Sequence, residues 1–371
     1  MRSLVVGCAV GMLCLVGCGS SAEEGPGGQG GSAGEGGSQA GSAGGGQGGT
    51  SGGGQGGAAG TAGGGSGGTF TGETFSLTVG PLAVVPGREN TQCVVQRLSN
   101  PTPIHVGMIR NVISSSSHHL IVYKTNDTEE RTTPFDCTPF LETLNPEAGA
   151  PLMVTQKYED ELRLPEGVAF TLDAHQMIRI ELHYINTTTA DVDVTATTSF
   201  HTMNTEDFQH EADFLFIGSP DISIPPRSQA TLGPLFFKLP AGYADVNFFA
   251  ITGHTHQYGR NVTVERTAGR DAQGESVYNV PGWRWDEPET VQHDPPFKVP
   301  DGGGFNFTCQ WNNTSDQTVR FGESANQEMC FFWSYYYPSQ GAKVCVVSQE
   351  YGVTECCPGG PLCGLIDDFL R

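Results

Sequence analysis

What most constrains this chain is the lack of any long stretch with helical periodicity. Short runs rich in Val, Ile, Phe, Tyr and Thr recur instead, each broken by Pro, Gly, Asn or Asp: TFSLTV, HHLIVYKT, MIRIELHYI, DVDVTATTSFH, ADFLFIG, LGPLFFKL, DVNFFAIT, NVTVERT, GFNFTCQWNN and CFFWSYYY. DVDVTATT and NVTVERT alternate with period two, as the side chains of half-buried strands must. Many short strands separated by turn residues predict an all-β chain, built as two β-sandwiches with Greek-key or jelly-roll connections. The polar stretch HTMNTEDFQHE at 201–211 is the expected boundary between them.

The strand-like runs begin only near residue 70. Before them, Arg2 is followed by an apolar run, Leu4 to Val16. At about 13 residues it is short for a membrane-spanning helix and fits the apolar core of a secretory signal. Its end, Leu15-Val16-Gly17-Cys18, resembles a bacterial lipobox, which implies a signal peptide at 1–17 and a lipid on Cys18. An ordinary signal peptide cut nearby is the alternative. Gly19 and Ser20 follow, with no Asp to argue for retention in the inner membrane, so an outer-membrane lipoprotein of the bacterial cell envelope is expected, facing the periplasm or the surface. Residues 18–69 are nearly all Gly, Ser, Ala, Gln and Thr. Such a segment buries too little to offset its backbone entropy, and it is expected to be a disordered, lipid-anchored tether reaching roughly 40 Å.

About 300 residues remain, enough for two ordinary domains. The formal net charge of −21 and the absence of any basic run argue against nucleic acid as a partner. Eleven cysteines fall to eight once Cys8, Cys14 and Cys18 are set aside. An even number in an oxidising compartment implies disulfides. Cys345, Cys356, Cys357 and Cys363 cluster near the C-terminus and are expected to pair among themselves. Their connectivity is open, and a thiolate metal site there is the alternative. The Asn-x-Ser/Thr matches, such as NDT at Asn126, read as chance matches.

Chemistry concentrates in the histidines. Of ten, His105, His175, His201, His210 and His293 stand alone, and a lone His is ordinarily structural or exposed. The others are grouped: His118 and His119 in SSSSHHLIVY, His183 in IELHYIN, and His254 and His256 in ITGHTHQYG. Residues i and i+2 of a strand face the same way, so His254 and His256 can chelate one ion with little distortion. Adjacent residues face opposite ways, so His118 and His119 need a bulge or a strand end to converge. Met329, in GESANQEMCFFWSYYYP, reads as part of an apolar strand beside Cys330. Its thioether is a soft ligand suited to Cu(I), so two imidazoles with one thioether describe a copper site that can cycle. Three imidazoles describe a second, harder site.

In order, HH, LHY, HTH and EMC resemble the copper type II, ascorbate-dependent monooxygenases, the family of peptidylglycine α-hydroxylating monooxygenase and dopamine β-monooxygenase. The resemblance extends over roughly 75–340. It implies two tandem jelly-roll domains, at 70–208 and 209–345, followed by a Cys-rich tail at 346–371. It assigns His118, His119 and His183 to one copper and His254, His256 and Met329 to the other, the second being the catalytic site. It also implies the disulfides Cys93–Cys137 and Cys309–Cys330. Closing a loop of about 20 residues in the second case contributes roughly 3 kcal/mol on a chain-entropy model.

The reaction implied is hydroxylation of a C–H bond by O₂. Ascorbate or another one-electron donor reduces both coppers, and the three-histidine copper stores the second electron. The peptide-amidating branch carries an Arg two residues before its HxH pair, and an Asn and a Tyr two and four residues after its Met, which hold a peptide carboxylate. Here those positions are Thr252, Phe331 and Trp333. A carboxylate clamp is absent, and FFW suggests either an apolar or aromatic-lined substrate pocket or ordinary core packing. The alternative function is a copper-binding or copper-storing lipoprotein without catalysis.

Overall fold

The computed structural model describes residues 72–137, 149–322, 324–361 and 363. The signal sequence, Cys18 and the Gly-rich tether lie outside the described residues. The chain is all-β, and two tandem jelly-roll sandwiches account for nearly all of its strands.

In the first sandwich one sheet runs Thr74–Val84, Val192–Met203, Ile104–Ile113, Val168–Leu172, His210–Glu211, with Glu159–Arg163 also paired to Ile104–Ile113. The other runs Arg131–Asp136, Glu89–Arg97, Met177–Ile185, Ser117–Thr125, Gly149–Thr155. In the second sandwich a six-stranded sheet runs Thr290–Phe297, Asn247–His254, Phe331–Tyr337, Asp213–Gly218, Lys343–Ser348, Val353–Cys357. It faces a four-stranded sheet of Ser228–Lys238, Gly304–Asn313, Gly259–Thr267 and Glu275–Asn279. The chain crosses between sandwiches at 211–213, since His210–Glu211 still pairs with Val168–Leu172 while Asp213 opens a strand of the second.

The expected boundary at 345 is corrected. Lys343–Ser348 pairs in parallel with Asp213–Gly218, and Val353–Cys357 pairs with Lys343–Ser348, so the start of the Cys-rich tail is an edge hairpin of the second sandwich. Its thiols form Cys345–Cys356 and Cys357–Cys363. Successive residues of a strand point to opposite faces, which is why the vicinal cysteines find different partners. With all four bridged, a thiolate metal site there is set aside. Cys93–Cys137 and Cys309–Cys330 are also formed.

The strand FFWSYYY shows why its sequence is apolar without alternation. Phe331, Trp333 and Tyr335 belong to the core shared with the first sandwich. Phe332 and Tyr336 belong to the core of the second. A strand buried on both faces reads as a continuous apolar run. Phe216 stacks on Phe331 at 4.8 Å, and the Tyr335 hydroxyl accepts the Val154 N–H from the first sandwich at 3.3 Å. The two sandwiches therefore meet through a packed, hydrogen-bonded junction.

Both sandwiches use one turn device. The Asn186 amide donates to the Val84 and Ala190 carbonyls, and its oxygen accepts the Thr188 N–H and hydroxyl. Asn313 donates to the Pro225 and Gln317 carbonyls and accepts the Ser315 N–H and hydroxyl. Both asparagines are fully buried. Two of the Asn-x-Ser/Thr stretches thus have a structural role, an Asx turn that ends a strand.

Candidate metal centre

His119 and His183 sit opposite each other on paired strands, Ser117–Thr125 and Met177–Ile185. The pairing slips between Ser117 and His119, and this bulge turns His118 toward the same face. The Nδ1 atoms of His118 and His119 lie 3.2 Å apart, and those of His118 and His183 3.3 Å. One ligand atom from each of the three falls within 4.8 Å of the others. The rings are 6%, 2% and 4% exposed. Burial drives His118 and His119 well below the ordinary imidazole pKa, and the neighbouring His183 pushes further. Neutral imidazoles with converging nitrogens are the donor set a transition metal requires.

Carboxylates hold the far sides of these rings. His183 donates from Nε2 to Glu89 at 3.1 Å, and this bond draws the Glu89 pKa down. Glu181 approaches His119 Nε2 at 3.7 Å and accepts the Tyr123 hydroxyl at 3.1 Å. Fixing Nε2 leaves Nδ1 as the nitrogen turned to the centre.

The second group is oriented the opposite way. His254 Nδ1 donates to the Gln156 side-chain oxygen and His256 Nδ1 to the Gln327 carbonyl, each at 3.2 Å. The Nε2 side of each ring is therefore the side that would face a metal. The rings are 5.1 Å apart and nearly perpendicular. Burial takes His254 well below its ordinary value and His256 to about 4.

His256 differs from the expected strand placement. The strand ends at His254, and His256 lies in the turn beyond it. The turn closes tightly at Gly259, where a Cβ would sit 1.8 Å from the Thr255 hydroxyl oxygen. Met329 likewise precedes its strand, which begins at Phe331. One buried carboxylate ties both segments together. Glu328 accepts the backbone N–H of His256 at 2.8 Å, of Tyr258 at 2.7 Å and of Met329 at 3.3 Å, and the Trp311 indole N–H at 2.9 Å. Burial lifts its pKa to about 7, and these donors oppose the rise. The Cys309–Cys330 bridge adjoins Met329 and links its segment to the Trp311 strand.

The two groups are adjacent. The His118 and His256 rings are 6.1 Å apart across the junction. Gln156 of the first sandwich bonds His254 of the second, and Glu89 accepts the Ala325 N–H at 3.4 Å.

The three expected substrate residues lie in packed surroundings. Thr252 shares a hydrogen bond with the Thr290 hydroxyl at 2.7 Å, and Phe331 and Trp333 are 2% and 1% exposed within the junction core. Of the two readings of FFW, core packing is what the geometry shows. Glu181 was within reach of sequence reasoning, since it shares a strand face with His183 two residues on. Glu89, Gln156 and the Trp311 contact carry no local signal, because the topology alone brings them in.

Among solved structures, the chain is similar to the major capsid protein P2 of bacteriophage PM2, at 8% identity and a TM-score of 0.32 over 72% of this chain and 100% of that one. A triple jelly-roll protein of an archaeal virus gives 6% identity and a TM-score of 0.18 over 74% and 61%. Scores this low carry no argument about fold or function. Residues 211–356, which include His254, His256 and Met329, match the family model of the copper type II ascorbate-dependent monooxygenases, C-terminal domain.

Proposed function

We propose that this chain is a copper-dependent monooxygenase that hydroxylates a C–H bond of a small apolar or aromatic substrate with O₂ and a one-electron donor such as ascorbate. The observation that carries the reading is the burial, at one junction, of a three-histidine cluster converging through Nδ1 and a second histidine pair 6.1 Å away. His118, His119 and His183 would hold one copper, and His254, His256 and Met329 the other. Bound copper supplies the one-electron chemistry and the activation of O₂.

The chain's own residues do the rest. Glu89 and Glu181 hold the first set of rings, while Gln156, Gln327 and Glu328 hold the second. The thioether favours the reduced metal. The junction buries both groups of side chains. Thr252, Phe331 and Trp333 stand where the peptide-amidating branch places its carboxylate clamp, and none can replace its cation, which argues against a peptide carboxylate as the substrate group. We further propose secretion as a lipoprotein anchored through Cys18 at the outer membrane, on the strength of the Leu15–Cys18 motif.

Copper per chain and ascorbate-driven O₂ uptake test this reading. Wild type should hold two coppers. His183→Ala should lose one, and Met329→Ala should abolish O₂ uptake. A second reading, copper storage without turnover, is favoured by the near-complete burial of all six side chains. Two coppers that consume no O₂ across a panel of apolar substrates would select it. No stoichiometric copper would overturn both.

A further inference from the structure

The strand Phe331–Tyr337 starts two residues after Met329. Every second residue of a strand points the same way, so Trp333, Tyr335 and Tyr337 share one face. They run in a row from the second group of candidate ligands to the surface. The Trp333 ring centre lies 6.2 Å from that of His254. Phe214 bridges Trp333 and Tyr335, at 6.5 and 5.4 Å. Phe249 bridges Tyr335 and Tyr337, at 6.0 and 6.2 Å. Tyr337 is only partly buried, and the exposed His210 ring packs on it at 5.6 Å.

Packing alone does not call for these residue types. Trp333 and Tyr335 are each 1% exposed. The indole N–H can only donate, and that of Trp333 has no hydrogen-bond acceptor. A phenyl ring would fill much of the same space without stranding a donor. A buried donor left unsatisfied calls for an explanation, and a redox role is one. Burial pushes the Tyr335 pKa far up, so the phenol stays neutral, and the Trp333 N–H tempers that rise without reaching full hydrogen-bond geometry. Tyr336, on the opposite face, is accounted for by its hydroxyl, which pairs with that of Tyr243 at 3.0 Å and donates to the Gly341 carbonyl at 2.8 Å.

The chemistry of the row matches its position. Trp and Tyr give up an electron far more readily than Phe, and transfer between aromatic side chains falls steeply with the gap between them. The row begins beside the histidine pair that, with Met329, would activate O₂ in the function proposed above. Met329 is the ligand there most open to damage, since oxidation of its thioether to a sulfoxide removes the soft donor.

We propose that Trp333, Tyr335 and Tyr337 form a relay that carries oxidising equivalents from the His254/His256/Met329 centre to the surface when no substrate is bound, sparing Met329. The inference rests on the copper reading. With hydrogen peroxide as oxidant, Cu(I) supplies one electron and the relay the other. The peroxide takes up both electrons, one proton from solvent and the phenolic proton of Tyr337, and leaves as two waters. Cu(II) and a Tyr337 phenoxyl radical remain. Ascorbate or another hydrogen-atom donor in solution then returns an electron and a proton to Tyr337.

The test mixes the copper-loaded, reduced full chain with one equivalent of hydrogen peroxide, without substrate. Freeze-quench EPR reads the organic radical, peptide mass spectrometry reads Met329 sulfoxide, and copper is counted in the same samples. Wild type should give a tyrosyl signal that added ascorbate quenches, with Met329 largely intact. Trp333→Phe should lose the signal and raise Met329 sulfoxide several-fold. Tyr337→Phe, at the far end of the strand from Met329, should leave a buried radical that outlives added ascorbate. Tyr351→Phe, an exposed tyrosine elsewhere, should match wild type. No tyrosyl signal in a wild type holding two coppers, or equal sulfoxide in wild type and Trp333→Phe, would overturn the relay and leave the copper reading intact. Should Trp333→Phe lose copper or fold, equal quenching by ascorbate in wild type and Tyr337→Phe would overturn the relay by itself. A wild type that binds no copper would overturn both.

Discussion

His118 reaches the centre through one irregularity of backbone, the slipped register before His119. The adjacent HH pair already demands such a bulge, since two neighbouring imidazoles cannot otherwise share a face. The spacing of His254 and His256 is equally readable, although the second lies in a turn. What local sequence does not reveal is the set of groups that aim these rings. Glu328 is the sharpest case, a buried carboxylate serving four N–H donors from the His256 turn, from Met329 and from Trp311. Glu328→Gln would turn an amide N–H₂ toward N–H donors that lose their acceptor. We expect a loss of about 2–4 kcal/mol in urea unfolding, with weaker copper binding at the His254/His256 site and unchanged binding at the other.

At the scale of elements, strand positions follow from alternation and from turn residues, and the FFWSYYY run follows from burial on both faces. Register and pairing partners do not, because a strand's sequence records which faces are buried but not by which neighbour. The C-terminal hairpin illustrates this. Its cysteines are visible, yet only the parallel pairing with Asp213–Gly218 makes it part of the sheet. The paired Asn turns bear on function. The Asn186 backbone bonds Arg88 and Gly87, which sets Glu89 beside His183. Asn186→Ala and Asn313→Ala should each cost about 1–3 kcal/mol in chemical denaturation by stranding buried carbonyls. Asn186→Ala should also weaken copper at the three-histidine site, and Asn313→Ala should not.

For the whole molecule, the junction decides both chemistry and stability. Asp213, at the start of a junction strand, accepts the Ser339 hydroxyl at 2.6 Å, and burial pushes its pKa from 3.8 up to about 6. Between those values the native state keeps a proton that the unfolded chain has released. Its contribution to stability therefore falls as pH rises through that window and levels off above it. Asp213→Asn removes this dependence. Its unfolding free energy relative to wild type should rise from pH 4 to pH 6.5 and then stay flat, as read from urea midpoints across pH. A difference that fell over this range would show that the carboxylate is stabilised by its partners more than it is penalised by burial.

The strand-rich class, the two groups of candidate ligands and their order along the chain are all legible in the residues alone. These depend on local properties: side-chain alternation, turn chemistry and the coordinating atoms each residue type carries. Which nitrogen of each ring faces inward, and that the two groups lie side by side, follow from the tertiary contacts alone. Those outcomes depend on contacts between residues such as Gln156 and His254, or Glu89 and His183, that are far apart in sequence and meet only when two sandwiches close on a common core.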